Sequence, residues 1–421
     1  MIQSPPASEA RQRGFTLIEV TVSLVVTVIV LLGVLALFDF SNKLSRVQTN
    51  ISDMQQSLRV AQNDAVRMIR MAGVGDLPLG SLPDGTAVAV RNNVADGTHV
   101  GPADSPEVFP NSDVLTVRGI FSTPIYQIDK DDAAAFVLSP AAAPTTGKIR
   151  VKSTTTETHF PQDLSALKEA ISKQRPEALL LISPVNPGPW AVVELDPGNS
   201  DIGTDPNDIV VAFKMTGGNT ADYLKLSSSP GTYPTDLTTV ISVGLLEEYR
   251  FYVRREYAIS GDKSSDLTPK LSRARVYPST QKPWDDDANN WHADIADNIF
   301  DFQVALGLDT TAKDPAKGAC ADGTVASDEV NCDIYESADG ENDDWMYNGE
   351  KNTDAALFLN SRLYYIRIST LARTDRRDHD YEAPALTRVE DNTYDGSPFN
   401  TTNERMYRRR LLRTVIDMRN L

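Results

Sequence analysis

Nineteen consecutive residues, Val20 to Phe38, carry no charge and no proline. As a helix they span about 28 Å, close to the hydrocarbon thickness of a bilayer. Thr21, Ser23 and Thr27 are the only hydroxyls in the run, and Gly33 is its only glycine. A secretory signal peptide has a shorter apolar region followed by a small-residue cleavage site. Here the run leads into Asp39-Phe40-Ser41-Asn42-Lys43, which is no such site. A single-pass anchor accounts for the length but leaves Glu19 unexplained. Its carboxylate stands at the edge of the apolar run, where an ionised group is costly and marks a partner or a function.

Past Phe40 the pattern becomes amphipathic. Apolar residues fall at Leu44, Val47, Ile51, Met54, Leu58, Ala61, Ala65, Met68 and Ala72, in alternating steps of three and four. That is a heptad stripe. Gly73 and Gly75 supply a stop, with Pro78 beyond. A helix from Phe15 to Ala72 would be about 87 Å long. We read the stripe as the face that packs against the chain's own sheet rather than as a free coiled coil.

The segment around the carboxylate is Arg13-Gly14-Phe15-Thr16-Leu17-Ile18-Glu19-Val20. With a short charged leader before it and an apolar helix after it, it resembles the cleavage and methylation motif of type IV prepilins and type II secretion pseudopilins. The resemblance implies that a membrane aspartyl protease, the prepilin peptidase, cuts after Gly14 and that the new N-terminal Phe15 is methylated. It also implies that Glu19 pairs with the N-terminal amine of a neighbouring subunit during assembly. The physics agrees, because a carboxylate and an amine in a low-dielectric setting each need the other. The chain lacks the proline with which many major pilins kink the membrane half of this helix, which points away from a main shaft subunit. Arg11 and Arg13 precede the span and should stay in the cytoplasm. The expected location is therefore the inner membrane, single-pass with the head outside the cytoplasm, and then the pilus fibre or cell surface.

From Gly73 onward the chain reads as short strands between turn-rich loops. Strands are predicted at Thr86–Arg91, Asp113–Gly119, Lys148–Lys152, Ala178–Ile182, Ala191–Glu194, Ile209–Phe213, Tyr223–Leu226, Thr239–Val243, Glu248–Glu256, Ile299–Leu306, Leu363–Arg373 and Leu411–Met418. Leu164–Gln174 is the one predicted short helix. The expected fold is α+β: a long N-terminal helix, membrane-spanning in its first half, packed on a large antiparallel-sheet head. Three stretches resemble strands of PilW-type minor pilins: Asn298–Asp309, Tyr365–Thr374 and Arg408–Leu421, in that order. The helix end Ile69-Arg70-Met71-Ala72-Gly73 fits the same family. The implied organisation is a leader over 1–14, a helix over 15–72 and a head over 73–421. Residues 76–294 match nothing recognisable and leave room for an inserted region.

The formal charge of −17 argues against nucleic-acid binding, which needs clustered Lys and Arg. The acidity lies in the head: residues 1–72 hold seven basic and five acidic residues, so the remainder carries −19. Six arginines against two acids in residues 403–421 form a basic C-terminus, either a solvated strand edge or a contact for an acidic neighbour. No G-x-S-x-G, Walker loop or H-E-x-x-H occurs, and no catalytic or metal-ligand set is assigned. Calcium is the one cofactor weighed. Asp285-Asp286-Asp287-Ala288-Asn289 lacks the twelfth-position Glu and sixth-position Gly of an EF-hand, and Asp339–Asp344 is a second acidic loop. Cys320 and Cys332 lie on the side expected to face an oxidising compartment and are expected to form a disulfide. The leading function is a minor type IV pilin acting in initiation of pilus assembly or at the pilus tip. Its partners would be other pilin subunits, the prepilin peptidase and the inner-membrane assembly machinery. The alternatives are a minor pseudopilin of a type II secretion system and a pilus-borne adhesin.

Overall fold

The computed structural model describes residues 16–75, 77, 87–102, 105–129, 132, 134–139, 145–155, 160–175, 179–184, 190–205, 207–215, 240–259, 266–278, 280–284, 292–309, 362–394 and 398–418. Helix α1 spans Leu17–Arg70, two residues inside each predicted end. The chain divides into two units, one ending at Asp53 and the other beginning at Met54.

The second unit is the head, and antiparallel strands build it. In chain order they are β1 (Val88–Arg91), β2 (Val114–Gly119), β3 (Tyr126–Gln127), β4 (Phe136–Ser139), β5 (Thr146–Lys152), β6 (Leu179–Pro184), β7 (Ala191–Leu195), β8 (Asp208–Lys214), β9 (Val240–Arg254), β10 (Lys270–Val276), β11 (His292–Asp297), β12 (Ile299–Asp309), β13 (Arg362–Arg373), β14 (Arg388–Val389), β15 (Asn392–Thr393) and β16 (Arg409–Asp417). Helix α2 covers Ser165–Ser172, inside the predicted Leu164–Gln174. Tyr223–Leu226 lies outside the described residues.

Strand β9 organises the sheet. The two predicted strands Thr239–Val243 and Glu248–Glu256 are one continuous strand of fifteen residues. Its first half pairs with β6 on one edge and β3 on the other (Leu179↔Leu246, Tyr126↔Val243). Its second half pairs with β10 and β2 (Val276↔Glu248, Gly119↔Glu247). From β6 the sheet continues through β7, β8 and β5 to β4. A separate sheet runs β12-β13-β16.

Two large cores follow from this division. The first holds Met54, Leu58, Ala61, Ala65, Met68 and Ala72 of the heptad stripe, with Ile69 beside them, against Phe251 and Val253 of β9, Leu271 of β10 and the inner face of the β12-β13-β16 sheet. Each fully buried large aliphatic side chain there contributes about 1.5–3 kcal/mol. The stripe is buried from Met54 onward, whereas Leu44 is 47% exposed. The second core gathers α2 with β3 to β8 and the first half of β9, among them Leu167, Ile171, Val193, Phe213 and Val243. It is the molecular content of the stretch that the sequence left unassigned. Gly147 on β5 is required there, because a Cβ would sit 2.1 Å from the Phe213 ring.

Two polar pins hold α1 to the head within the second unit. The Gln62 amide donates to the Leu412 carbonyl at 2.8 Å and accepts from the Thr414 hydroxyl, both on β16. Asp64 accepts from Arg273 of β10 at 2.9 Å. Gln62 is almost fully buried among apolar neighbours, so both halves of its amide need these partners.

Candidate assembly site

The first unit presents a bare apolar helix. Every residue from Leu17 to Phe40 is exposed, and among the described residues α1 alone is long and apolar enough to cross a membrane. Its polar side chains turn inward on the helix itself. Thr21 donates to the Ile18 carbonyl at 2.9 Å and Thr27 to the Ser23 carbonyl at 2.8 Å. At the far side of the apolar run, Asp39 and Lys43 form an exposed ion pair one turn apart, 3.6 Å between charged atoms.

Glu19 sits in the first turn of α1, and its carboxylate caps the helix. Oε2 accepts from the Thr16 backbone N–H at 2.9 Å and from the Thr16 hydroxyl at 3.0 Å. The Thr16 Oγ1 in turn accepts from the Glu19 N–H at 3.4 Å. This is a capping box, in which two orphan backbone donors are satisfied reciprocally. The sequence reading missed Thr16, although T-x-x-E ahead of an apolar run is its legible signal. The helix N-terminus favours negative charge there. Only Oε2 is engaged in these contacts, so the carboxylate can take a further donor without leaving the cap. Gly14 and Phe15 lie outside the described residues, as do Cys320, Cys332 and the acidic loops 285–289 and 339–344.

The head carries its charge chemistry inside. Glu247 and Glu248, adjacent at the midpoint of β9, are both fully buried. Glu247 accepts the backbone N–H groups of Phe121, Ser122 and Thr123 at 2.7–3.1 Å and an Arg275 N–H at 2.8 Å. On the opposite face Glu248 pairs with Arg118 at 2.6 Å and with Arg250. A third buried acid, Asp301 on β12, accepts from Tyr394, Gln303 and Asn392. Burial pushes its carboxyl up to about 6 against those three hydrogen bonds. Asp113 accepts the Asn93 and Val304 N–H groups. Burial raises its carboxyl well above the usual range, and the nearby Asp391 and Asp301 add to the rise. These are structural acids: each is enclosed, and none faces an open cleft.

Four arginines of the basic C-terminus are engaged within the chain. Arg408 pairs with Asp378 at 2.8 Å, Arg405 with Glu382 at 2.8 Å and Arg413 with Glu390 at 3.2 Å. Arg409 donates to the Phe399 and Glu404 carbonyls. β16 leaves outward Arg410, Arg413 and Asp417 together with two aliphatic side chains, Leu411 and Val415, the latter 53% exposed.

Residues 10–35 match the family model of the prokaryotic N-terminal methylation motif, a match that takes in the capped Glu19 and the bare helix as far as Leu35. The chain is a type IV pilin-like protein. Residues 250–420 match the family model of type IV pilus-assembly protein W, from the second half of β9 to the end of β16. The chain is accordingly a PilW-type pilin-like protein, a minor pilin associated with the type IV pilus. No curated protein and no solved structure matches it.

Proposed function

We propose that this chain helps to start a type IV pilus and stays at or near the tip of the fibre. The supporting observation is the joining, in one chain, of a methylation-motif helix with no buried residue between Leu17 and Phe40 to a head of two large cores. A head of that bulk suits a fibre end better than a packed shaft. In this reading prepilin peptidase cuts between Gly14 and Phe15 and methylates Phe15. Arg11 and Arg13 hold the leader in the cytoplasm, and the head lies outside it. Glu19 then receives the N-terminal amine of a neighbouring pilin subunit while Thr16 keeps its place on Oε2. Cys320 and Cys332 close a disulfide loop in the oxidising compartment. The test is immunogold labelling of purified pili together with a deletion strain. Gold confined to one fibre end and loss of piliation on deletion are expected; label distributed along the shaft overturns the tip assignment.

A second reading, a binding or adhesive head carried by the pilin stem, is favoured by the second core. It is built almost wholly from residues 126–245, outside the stretch matched by the PilW family. Gln127 and Ser242 are antiparallel neighbours, so the chain between them can be replaced by a short turn, which takes only Leu181 and Val192 from the buried residues of the first core. On this reading that excision keeps piliation and abolishes attachment to surfaces; equal attachment by both strains removes the reading.

A further inference from the structure

A cavity of about 170 Å³ opens where the second core meets the family-matched part of the head. Helix α2 and the residues after it supply Ala166, Glu169 and Arg175; the family-matched side supplies Arg275, Tyr277 and Trp284. Neither part of the chain makes the cavity alone.

Its polar lining is rigid, with two guanidinium groups, Glu169 at the rim and Glu247 paired behind Arg275. Arg175 donates to the Tyr277 hydroxyl and to the Trp284 carbonyl, the latter at 2.5 Å. Arg275 donates through one terminal nitrogen to Ser122 and Glu247, both at 2.8 Å, and its Nε is buried with no acceptor. Tyr277 stacks on Trp284 with ring centroids 4.9 Å apart, and the Arg275 guanidinium lies 4.5 Å over the same indole. The rings are thereby fixed as an apolar wall. Two guanidinium groups beside such a wall form a donor set suited to a carboxylate, which they can grip in a planar, charge-assisted way. Glu169 at the rim selects further. Paired through Oε1 with Lys173, it disfavours a second negative charge on the ligand and can accept hydrogen bonds from hydroxyl groups on its remaining lone pairs. The volume is below the roughly 300–1,000 Å³ of drug-sized pockets and suits one ring.

We infer that this cavity binds a sugar acid: a single hydroxylated ring bearing one carboxylate, held by Arg175 and Arg275 with its hydroxyls toward Glu169. The ligand is either a free uronate or one residue of an acidic polysaccharide. The inference does not depend on where in the fibre the subunit sits.

The test is calorimetric titration of the full chain in detergent with galacturonate and glucuronate, with galactose as neutral control and polygalacturonate as the polymer. Saturable binding of a monomeric uronate at least about tenfold tighter than galactose is expected for a free-sugar site. Binding of polygalacturonate alone identifies the polymer as the source and upholds the pocket. Arg175→Gln should weaken binding at least about tenfold. Ala166→Phe, which fills the cavity from the helix side and replaces neither arginine, should abolish it with the melting temperature unchanged. The inference is overturned if neither monomer nor polymer binds saturably, if galactose binds as well as the acids, or if binding survives Ala166→Phe in a folded protein.

Discussion

Single side chains carry separate duties in the helix and in the head. Glu19 does local work first, capping α1 through Thr16. Two substitutions separate that work from assembly. Glu19→Leu should leave membrane insertion intact and lower the subunit's content in purified pili by well over tenfold, since removing one partner of a buried ion pair costs about 3–5 kcal/mol. Thr16→Ala removes only the cap, at a cost of about 1 kcal/mol, and should lower the content a few-fold. Equal losses in quantitative immunoblots of sheared pili would assign Glu19 to capping alone. In the head, Asp301 makes stability depend on acid in an uncommon direction. Its carboxyl is raised to about 6 by burial, so the folded state binds the proton more tightly than the unfolded chain does. The contribution of this group is most favourable below about pH 4, falls as pH rises toward 6, and is level above that. Asp113 is raised in the same sense, so one variant must isolate the effect. The stability of the protein relative to Asp301→Asn should therefore improve by about 2–3 kcal/mol between pH 7 and pH 4. Chemical denaturation of both proteins across that range measures it, and a difference independent of pH would refute the assignment.

Among the elements, β9 decides the architecture. It serves both cores, and its midpoint must accommodate a change of neighbours on both edges. Residues 120–125 bulge between β2 and β3 there, and Glu247 binds the three N–H groups that the bulge leaves without ladder partners. Glu247→Leu should strand those donors together with Arg275. We expect a loss of about 3–5 kcal/mol, as for breaking a buried ion pair, read as a lowered denaturation midpoint of the full chain in detergent. Glu247→Gln should lose less, because its amide oxygen still accepts. Helix α1 shows a parallel device. Its stripe supplies burial, but between Leu58 and Met68 it offers only Ala61 and Ala65; there Gln62 and Asp64 add register by reaching β16 and β10.

For the whole molecule, processing and compartment are the questions with direct chemical answers. Mass spectrometry of the mature protein should find a methylated N-terminal Phe15, with the fourteen leader residues gone; an intact leader in assembled pili would remove the pilin assignment. Non-reducing peptide mapping should recover Cys320 and Cys332 in one linked fragment. A disulfide closing a loop of this length contributes roughly 3 kcal/mol by the loop-entropy account. Free thiols at both positions in periplasmic protein would contradict the bond and the compartment together. Excising the chain between Gln127 and Ser242 tests the modularity of the head, since the first core retains α1, β9, β10 and the β12-β13-β16 sheet.

The amino-acid sequence by itself determined what depends on near neighbours. An uncharged run of bilayer length, a glycine–phenylalanine junction with a glutamate four residues on, and a stripe in steps of three and four each express a helix and its face through local periodicity alone. Most strands of the head were legible for the same reason, as runs of β-branched and aromatic residues between turns. Strand β10 was not: Lys270-Leu271-Ser272-Arg273-Ala274-Arg275-Val276 looks solvated, and only the folded chain shows Arg273 against Asp64 and Arg275 against Trp284. The union of two predicted strands into β9 was hidden likewise, because the interval 244–247, with Gly244 and Glu247, reads as a break in an isolated sequence. Its charges are tolerated inside only because Arg118, Arg250, Arg275 and three backbone amides converge on them from distant parts of the chain. The pairing of the basic C-terminus with Asp378, Glu382 and Glu390, the second core, and the cavity between that core and β10 belong to the same category. They depend on which charges and surfaces meet across long sequence separations. Local pattern carries no record of those meetings; tertiary packing selects them by the cost of leaving a buried charge without its partner.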